Sequence, residues 1–288
     1  MGTLQELLDL IHLDQDSSNL FVGSNFLTPW GRVFGGQVLA QALHAASRTV
    51  PEDRTAHSLH AYFILPGDVN VPIEYQVDRS RDGRSFTTRR VAALQKGEII
   101  FIMACSFQTR EKGLEHQLPM PNVPGPENVL SDQEWYASLK DKLPDLYRRY
   151  QFPQPIEFRP IERYNPLAPS SQPPFRHIWM RVRDTMPEDP RIHQQVLAYA
   201  SDYNLLSTAY MPHQLQARID RVMFASLDHA MWFHEDFRMD DWLLYAVDSP
   251  SAGNSRGFTR GNIFTREGKL IASVTQEGLI RLMQPKAD

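Results

Sequence analysis

A mostly apolar stretch, HQQVLAYASDYNLLSTAY, covers residues 193–210 and predicts one long helix. Positions 195, 199, 202 and 206 follow i, i+4, i+7 and i+11 spacing, so they share one face of that helix. Asp202 is the acidic residue of this face. A buried, unpaired carboxylate is costly, or its pKa rises until it becomes neutral. Asp202 is therefore either a capped or solvated residue or a functional group.

Alternating apolar and polar residues predict a sheet in the first half of the chain. Residues 3–13 and 37–48 have helical spacing, and the runs after residue 56 alternate with a period of two. Asp82-Gly83 and Lys96-Gly97 are turn signals between these runs. The predicted strands cover residues 57–65, 71–79, 84–95 and 98–109. The first half is thus predicted to be a helix followed by four or more antiparallel strands.

The second half repeats this order of elements. Its predicted strands cover residues 175–183, 220–234, 242–248, 256–265 and 270–283. Four short segments match in the same order between the halves: 37–40 with 195–198, 60–61 with 229–230, 84–87 with 256–259, and 97–100 with 268–271. These matches favour two copies of one α+β unit over chance recurrence. In each copy an antiparallel sheet is predicted to curl around a central helix, since strands twist and the apolar helix must be covered.

The composition changes between the two copies. Residues 116–174 hold 12 of the 21 prolines, and one helical patch is predicted at residues 131–150, interrupted by Pro144. Trp135 and Tyr147 are too apolar for a solvated linker, so we expect this part to pack on the surface. The predicted organisation is an N-terminal repeat at 1–115, a Pro-rich connection with a short helix at 116–153, and a C-terminal repeat at 154–288.

Composition and charge narrow the range of functions. Of the 288 residues, 42% are hydrophobic and 22% are charged, which is ordinary for a globular protein with a substantial core. The net charge of −4 gives no general attraction to nucleic acid or to an anionic membrane. Cys105 is the single cysteine, so no intrachain disulfide or cysteine-rich metal cluster can form. No signal peptide or membrane span is predicted, and we expect a cytoplasmic protein.

Six blocks of sequence carry a resemblance to a known family. They are GRVFGGQ at 31–37, LPGD at 65–68, RDGRSF at 81–86, YASD at 199–202, LDHAMWFH at 227–234 and QEG at 276–278. In this order they resemble the acyl-CoA thioesterase II family over nearly the whole chain. The resemblance implies a double hotdog fold, in which the two sheets join side by side. It also implies hydrolysis of fatty acyl-CoA to free acid and CoA without a cofactor, a place in fatty acid metabolism, and a homo-oligomer, either a dimer or a tetramer of double hotdogs.

The resemblance also implies a catalytic set. In that family an Asp, a Ser or Thr, and a Gln orient the attacking water, and the matching positions here are Asp202, Ser226 and Gln276. Many relatives have Thr where this chain has Ser226, so the hydroxyl is kept but a methyl group is missing. Without the resemblance, Asp202 is more simply a capped turn and Gln276 an edge residue of a strand.

The residues themselves support this set in part. Gln276 is the polar side chain on a strand face that is otherwise apolar at positions 270, 272 and 274, so it is predicted to point inward. The orientation of Ser226 is ambiguous, because its strand is apolar on both faces. In the repeat alignment Asp202 corresponds to His44, and Gln276 corresponds to Cys105. The catalytic set is therefore predicted only in the C-terminal repeat, with the N-terminal repeat as a structural partner that shapes the acyl pocket.

Other functions remain as alternatives. Double hotdog enoyl-CoA hydratases resemble one another in an Asp-x-Asn-Pro-x-His pattern, and DYNLLS at 202–207 keeps the Asp and Asn but lacks the Pro and His. A non-catalytic acyl-CoA-binding protein is disfavoured because all three polar positions are occupied. GNSRG at 253–257 matches the G-x-S-x-G pattern of serine hydrolases, but a strand is predicted to follow it and no His occurs after His234. Cys105 lies in an apolar strand and is predicted to be a core residue.

Overall fold

The computed structural model describes residues 2–28, 31–150, 154–216 and 219–283. The helices are α1 (Leu4–Ile11), α2 (Gly35–Ser47), α3 (Asp132–Ser138), α4 (Pro144–Tyr150) and α5 (Pro190–Ser201). The strands are β1 (Asp14–Ser17), β2 (Leu20–Gly23), β3 (Arg54–Phe63), β4 (Ile73–Asp82), β5 (Phe86–Gln95), β6 (Glu98–Thr109), β7 (Ile156–Pro160), β8 (Phe175–Val182), β9 (Val222–Ser226), β10 (Asp228–Phe233), β11 (Leu243–Gly253), β12 (Arg256–Thr265) and β13 (Leu270–Leu282). Short 3₁₀ helices cover Pro126–Asn128, Leu206–His213 and Ile219–Arg221.

The strands form one continuous antiparallel sheet that the two repeats share. Its order is β1-β2-β4-β5-β6-β3-β10-β13-β12-β11-β8-β7, and β9 also pairs with β13. The repeats therefore join edge to edge through β3 and β10. At this joint His60 pairs with Ala230, and Ala61 pairs with His229. Equivalent residues of the two copies exchange partners, as a two-fold relation between the repeats requires.

The sheet wraps around α2 and α5, which pack against each other. Almost every residue of α2 is buried, including Gln37 and Gln41. Gln37 donates to Asn25 Oδ1 over 2.7 Å, while Gln41 donates to the Leu10 carbonyl and accepts from the Tyr75 hydroxyl, each over 2.6 Å. Buried amides are tolerated when such bonds are made. The helix can therefore be enclosed on all sides, as the predicted arrangement of two α+β repeats requires.

The prediction of one helix over residues 193–210 is wrong for its second half, and the observed helix is α5. It ends at Ser201, Asp202 is its C-cap, and the chain then turns through Asn204, whose φ of 63° lies in the left-handed region. Because a left-handed residue cannot continue a right-handed helix, Leu206 begins a separate 3₁₀ helix. Asp202 therefore lies at a helix end and does not share a continuous helical face with Leu206.

One further prediction of a continuous element is corrected. The strand expected at 220–234 is broken at Leu227 into β9 and β10. The interruption predicted at Pro144 in the helical patch at 131–150 is confirmed. Pro144 lacks the N–H that an internal helical position needs, and it begins the second helix, α4.

The Pro-rich connection packs along the C-terminal repeat. Trp179 donates from its indole nitrogen to the Pro124 carbonyl over 2.8 Å, and Arg159 donates to the Val129 carbonyl over 2.7 Å. Within the connection, α3 lies beside the outer strand β7 and also contacts α4. Among the described residues, no helix is long and apolar enough to cross a membrane.

The contact between α2 and α5 predicts a severe effect of Gly36→Ala. An added Cβ would lie 2.3 Å from the carbonyl oxygen of Tyr199, which is backbone of the opposing helix and cannot move aside. We expect a loss of about 1–3 kcal/mol in the free energy of unfolding, measured by urea denaturation. Gly253→Ala is the matched control, since its added Cβ would have no neighbour within 4 Å. Equal stability of the two variants would contradict this packing.

Candidate active site

The carboxylate of Asp202 connects the two repeats. Asp202 follows Ser201, the last residue of α5, and its Oδ2 accepts a hydrogen bond of 2.9 Å from the backbone N–H of Gly36 in α2. The N-cap residue of α2, Phe34, supplies no capping side chain. Asp202 of the C-terminal repeat therefore satisfies an N–H at the start of the N-terminal repeat's central helix. The partial positive charge of a helix N-terminus stabilises an ionised carboxylate there.

Gln276 and Ser226 meet this carboxylate from the sheet. Gln276 is fully buried in β13, and its Nε2 donates to Asp202 Oδ1 over 2.8 Å and to Ser226 Oγ over 3.0 Å. Ser226 is the last residue of β9 and pairs with Gly278 of β13, which brings its side chain beside Gln276. The structure thus brings together the three residues predicted from the sequence and resolves the orientation of Ser226.

The hydrogen bonds assign a donor or acceptor role to each group. A glutamine amide carries two N–H donors, and Gln276 uses both, one on Asp202 and one on Ser226. Ser226 accepts from Gln276, so its own O–H remains able to donate. Gln276 Oε1 is buried and has no hydrogen-bond partner. Gln276 therefore orients Asp202 and Ser226, and these two residues hold the groups that can contact a bound water.

Burial and hydrogen bonding act in opposite directions on the acid. Burial raises the pKa of Asp202, while the hydrogen bonds from Gln276 and Gly36 lower it, and the net result is a pKa above the ordinary value of 3.8. A carboxylate with a raised pKa is a stronger base once it has lost its proton.

Asp202 and Ser226 line a cavity of about 500 Å³, which we call the catalytic cavity. Most of the wall is apolar, and both repeats contribute to it, with Val38, Phe63, Ile100 and Phe101 from the N-terminal repeat and Leu206 and Phe224 from the C-terminal repeat. An apolar cavity with a few convergent polar groups is typical of a site for a small, largely apolar substrate.

The equivalent positions of the N-terminal repeat hold neutral groups. Burial lowers the pKa of His44 to about 4, and its Nδ1 contacts Gln195 Oε1 at 3.2 Å. Burial raises the pKa of the Cys105 thiol to about 12, and this side chain lies in the core as predicted. At neutral pH neither group is charged, so the N-terminal repeat has no counterpart of the Asp202 carboxylate at these positions.

Comparison with known proteins adds to this geometry. The family model described as acyl-CoA thioesterase matches residues 147–279, and the model of the acyl-CoA thioesterase N-terminal domain matches residues 27–108. Acyl-CoA thioesterase 2 of Haemophilus influenzae is 38% identical over 98% of this chain and 99% of its own length. Human acyl-coenzyme A thioesterase 8 is 42% identical over 96% of this chain and 88% of its own length. The chain belongs to the acyl-CoA thioesterase family.

The solved structures of this family agree with the fold. The crystal structure of acyl-CoA thioesterase II TesB2 from Mycobacterium marinum superposes with a TM-score of 0.79, at 40% identity over 96% of this chain and 98% of that chain. The predicted membership of the thioesterase II family and the predicted double hotdog are both confirmed. The relatives described here are thioesterases, and none of these comparisons favours the hydratase or the non-catalytic alternative.

Sequence reasoning missed two groups of this candidate site. The N–H of Gly36 was hidden because it comes from the other repeat, although the Gly-Gly pair at the start of α2 was a signal of close approach. Asn204 also lines the catalytic cavity, and its only signal was the Asp-x-Asn spacing. The GNSRG segment, by contrast, is a hairpin turn between β11 and β12 with Asn254 and Ser255 in the left-handed region, as its rejection as a nucleophile required.

The raised pKa of Asp202 predicts a pH dependence. Because the ionised carboxylate of Asp202 is the expected general base, kcat/KM should rise with pH as Asp202 loses its proton, with a midpoint above pH 3.8. A group whose pKa is higher in the folded than in the unfolded state stabilises the fold at pH values below its unfolded-state pKa. This contribution is lost as pH rises through the folded-state pKa. The free energy of unfolding of Asp202→Asn, taken relative to that of the wild type, should therefore increase as pH rises through this window.

Urea denaturation at a series of pH values measures the effect on stability, and initial rates over the same series measure the effect on catalysis. A rate midpoint at or below 3.8 would contradict the assignment of the ascending limb to Asp202.

Proposed function

We propose that this protein hydrolyses fatty acyl-CoA thioesters to free fatty acid and CoA, with water activated by Asp202. The observation that carries the proposal is the amide of Gln276, which bridges Asp202 and Ser226 at the wall of an apolar cavity. Only a base, a hydroxyl and a place for an acyl chain are needed, because a thioester carbonyl is reactive enough for attack by activated water. The proposed reaction uses no cofactor.

In the proposed mechanism, water bound between Asp202 and Ser226 attacks the thioester carbonyl carbon. Asp202 accepts the proton of this water, a contribution of about 10²–10⁴-fold in rate. The hydroxyl of Ser226 positions the water, and Gln276 holds both side chains in place. The tetrahedral intermediate then collapses with cleavage of the carbon–sulfur bond, and the CoA thiolate takes up the proton held by Asp202.

The oxyanion of this intermediate needs donors near the start of α2. Gly35 lines the catalytic cavity, and a Cβ at this position would lie 2.8 Å from Asp202 Oδ2. A glycine is thus required for the backbone to approach the reacting atoms. We propose that backbone N–H groups at this helix N-terminus stabilise the oxyanion, each donor being worth about 3–4 kcal/mol.

We further propose a homo-oligomer, a dimer or tetramer of double hotdogs. The outer face of the sheet near the joint of the repeats exposes apolar side chains, among them Tyr62 at 57% and Ile102 at 39%, which are cross-strand neighbours in β3 and β6. Paired exposed apolar residues on a sheet are suited to contact with a second copy. Light scattering in solution distinguishes the oligomer from a monomer.

The domain boundaries and the compartment also belong to the proposal. Repeats at 1–115 and 154–288 are supported by the sheet order, since β6 ends at Thr109 and β7 begins at Ile156. A cytoplasmic location and a role in fatty acid metabolism follow from the proposed substrate and from a single, buried, free cysteine.

The general base is tested with Asp202→Asn. The variant keeps the shape of the side chain, so we expect a folded protein whose kcat/KM on saturated acyl-CoA falls by at least about 10²-fold. Release of free thiol measures hydrolysis, and a parallel assay with enoyl-CoA measures hydration. Asp228→Asn is the matched control, because Asp228 accepts a hydrogen bond from the Glu277 N–H over 2.7 Å, which asparagine can also do. Wild-type thiol release by Asp202→Asn would refute the assignment.

The hydroxyl at position 226 is tested by a pair of variants. Ser226→Ala removes the hydroxyl that accepts the hydrogen bond from Gln276 and positions the water, so kcat should fall by roughly tenfold or more. Ser226→Thr keeps the hydroxyl and adds a methyl group to the cavity wall, so kcat should stay much closer to wild type. Steady-state kinetics on one acyl-CoA measure both. Equal losses in the two variants would show that packing at this position matters and the hydroxyl does not.

A further inference from the structure

A second cavity lies beside the catalytic one and contains a buried arginine. This arginine cavity has a volume of about 560 Å³, and its wall includes Trp135 of α3, Leu146 of α4, Arg163, Arg176 of β8, Asn204 and Ser207. The Pro-rich connection, through α3 and α4, therefore closes one side of it. The catalytic cavity shares Asn204 and Ser207 with the arginine cavity. The two cavities thus meet just after Asp202 in the chain.

The guanidinium of Arg176 is buried and makes no ion pair within 4 Å among the described residues, although the more distant charges of Asp132 and Glu162 act on it. Its exposed fraction is 7%, and none of the ion pairs found among the described residues includes it. The nearby acid Asp132 is engaged by Arg163 over 2.9 Å. A buried charge without a partner is costly unless other polar groups compensate.

The hydrogen bonds of Arg176 leave donors unused. Its Nη1 donates to Asn204 Oδ1 over 3.1 Å and to Ser207 Oγ over 3.2 Å, while Nε is buried with no partner. Within the described part of the chain, its other terminal nitrogen makes no hydrogen bond. Arg176 thus supports the corner that the two cavities share, and it has donors left for a ligand in the arginine cavity.

The two cavities suit different parts of a thioester. The wall of the catalytic cavity is mostly apolar and fits an alkyl chain. An alkyl chain in the arginine cavity would exclude water from Arg176 without replacing its hydrogen bonds. A polar, extended chain with amide oxygens meets both needs, because each oxygen accepts from a guanidinium and the remaining chain packs on Trp135 and Leu146.

We propose that the arginine cavity binds the pantetheine arm of CoA, with Arg176 donating to an amide oxygen of the arm, while the acyl chain occupies the catalytic cavity. The thioester then lies where the cavities meet, beside Asp202. This inference rests on the proposed thioesterase function and adds which cavity takes which half of the substrate. It also gives Asn204, in its left-handed conformation, the role of a positioning residue between them.

The test uses one acyl group on thiols of decreasing length: CoA, pantetheine, N-acetylcysteamine and ethanethiol. In Arg176→Met, which removes the donors but keeps an apolar side chain of similar length, kcat/KM on the CoA and pantetheine thioesters should fall roughly 10–100-fold more than on the ethanethiol ester. An equal loss on all thioesters would overturn the proposal, since Arg176 would then act only through Asn204. A wild-type protein inactive on every thioester would reject the proposed function itself.

A second variant decides the question if Arg176→Met does not fold. Leu146→Trp fills the arginine cavity from α4, on a partly exposed helix face, and should raise KM for the CoA and pantetheine thioesters more than for the ethanethiol ester. Ile64→Trp is its matched control at the rim of the catalytic cavity, where Ile64 is 49% exposed. Its effect should follow the length of the acyl chain and be the same on every thiol. A Leu146→Trp effect that follows acyl length instead would assign the arginine cavity to the acyl chain and overturn the proposal.

Discussion

The hydrogen bond from Gly36 of one repeat to Asp202 of the other is the interaction on which the site depends. It needs α2 and α5 in close contact, which a glycine at position 36 permits. It also needs α5 to end at Ser201, so that Asp202 can turn toward the N-terminus of α2. A carboxylate in a mostly apolar interior is thereby held ionisable by a helix terminus and an amide rather than by a cation. Its proton affinity stays raised, which suits a general base.

The proposed site occupies only one of the two positions that the two-fold arrangement makes equivalent. The fold presents an equivalent position in each repeat, but the N-terminal copy carries His44 and Cys105, both neutral at pH 7 because of burial. Because both groups are neutral, the N-terminal repeat places no second buried charge at these positions. The N-terminal repeat contributes instead the N–H of Gly36 in α2 and the apolar residues Phe63 and Phe101 of the catalytic cavity.

The Pro-rich connection has a structural consequence for the site. Its described residues, 116–150, form no strand, and of its two short helices α3 contacts both β7 and α4. Trp135 and Leu146 of these helices form part of the wall of the arginine cavity. A segment that belongs to neither helix-and-sheet unit thus borders the region next to Asp202, and it separates the surroundings of the two halves of the proposed substrate.

The sequence by itself determined the repeat, the alternation of strands and the three polar positions Asp202, Ser226 and Gln276. The repeat and the strands follow from local periodicity and from the order of matching blocks, which need no knowledge of distant contacts. The three polar positions follow from the resemblance to the thioesterase II family. The end of α5 was missed, because apolar spacing continues past Ser201 while the left-handed turn at Asn204 depends on its surroundings. Only the tertiary structure decided the orientation of Ser226, the N–H from Gly36 and the unused donors of Arg176. Each depends on residues far apart in the chain, and a hydrogen bond between repeats leaves no periodic signal in either one.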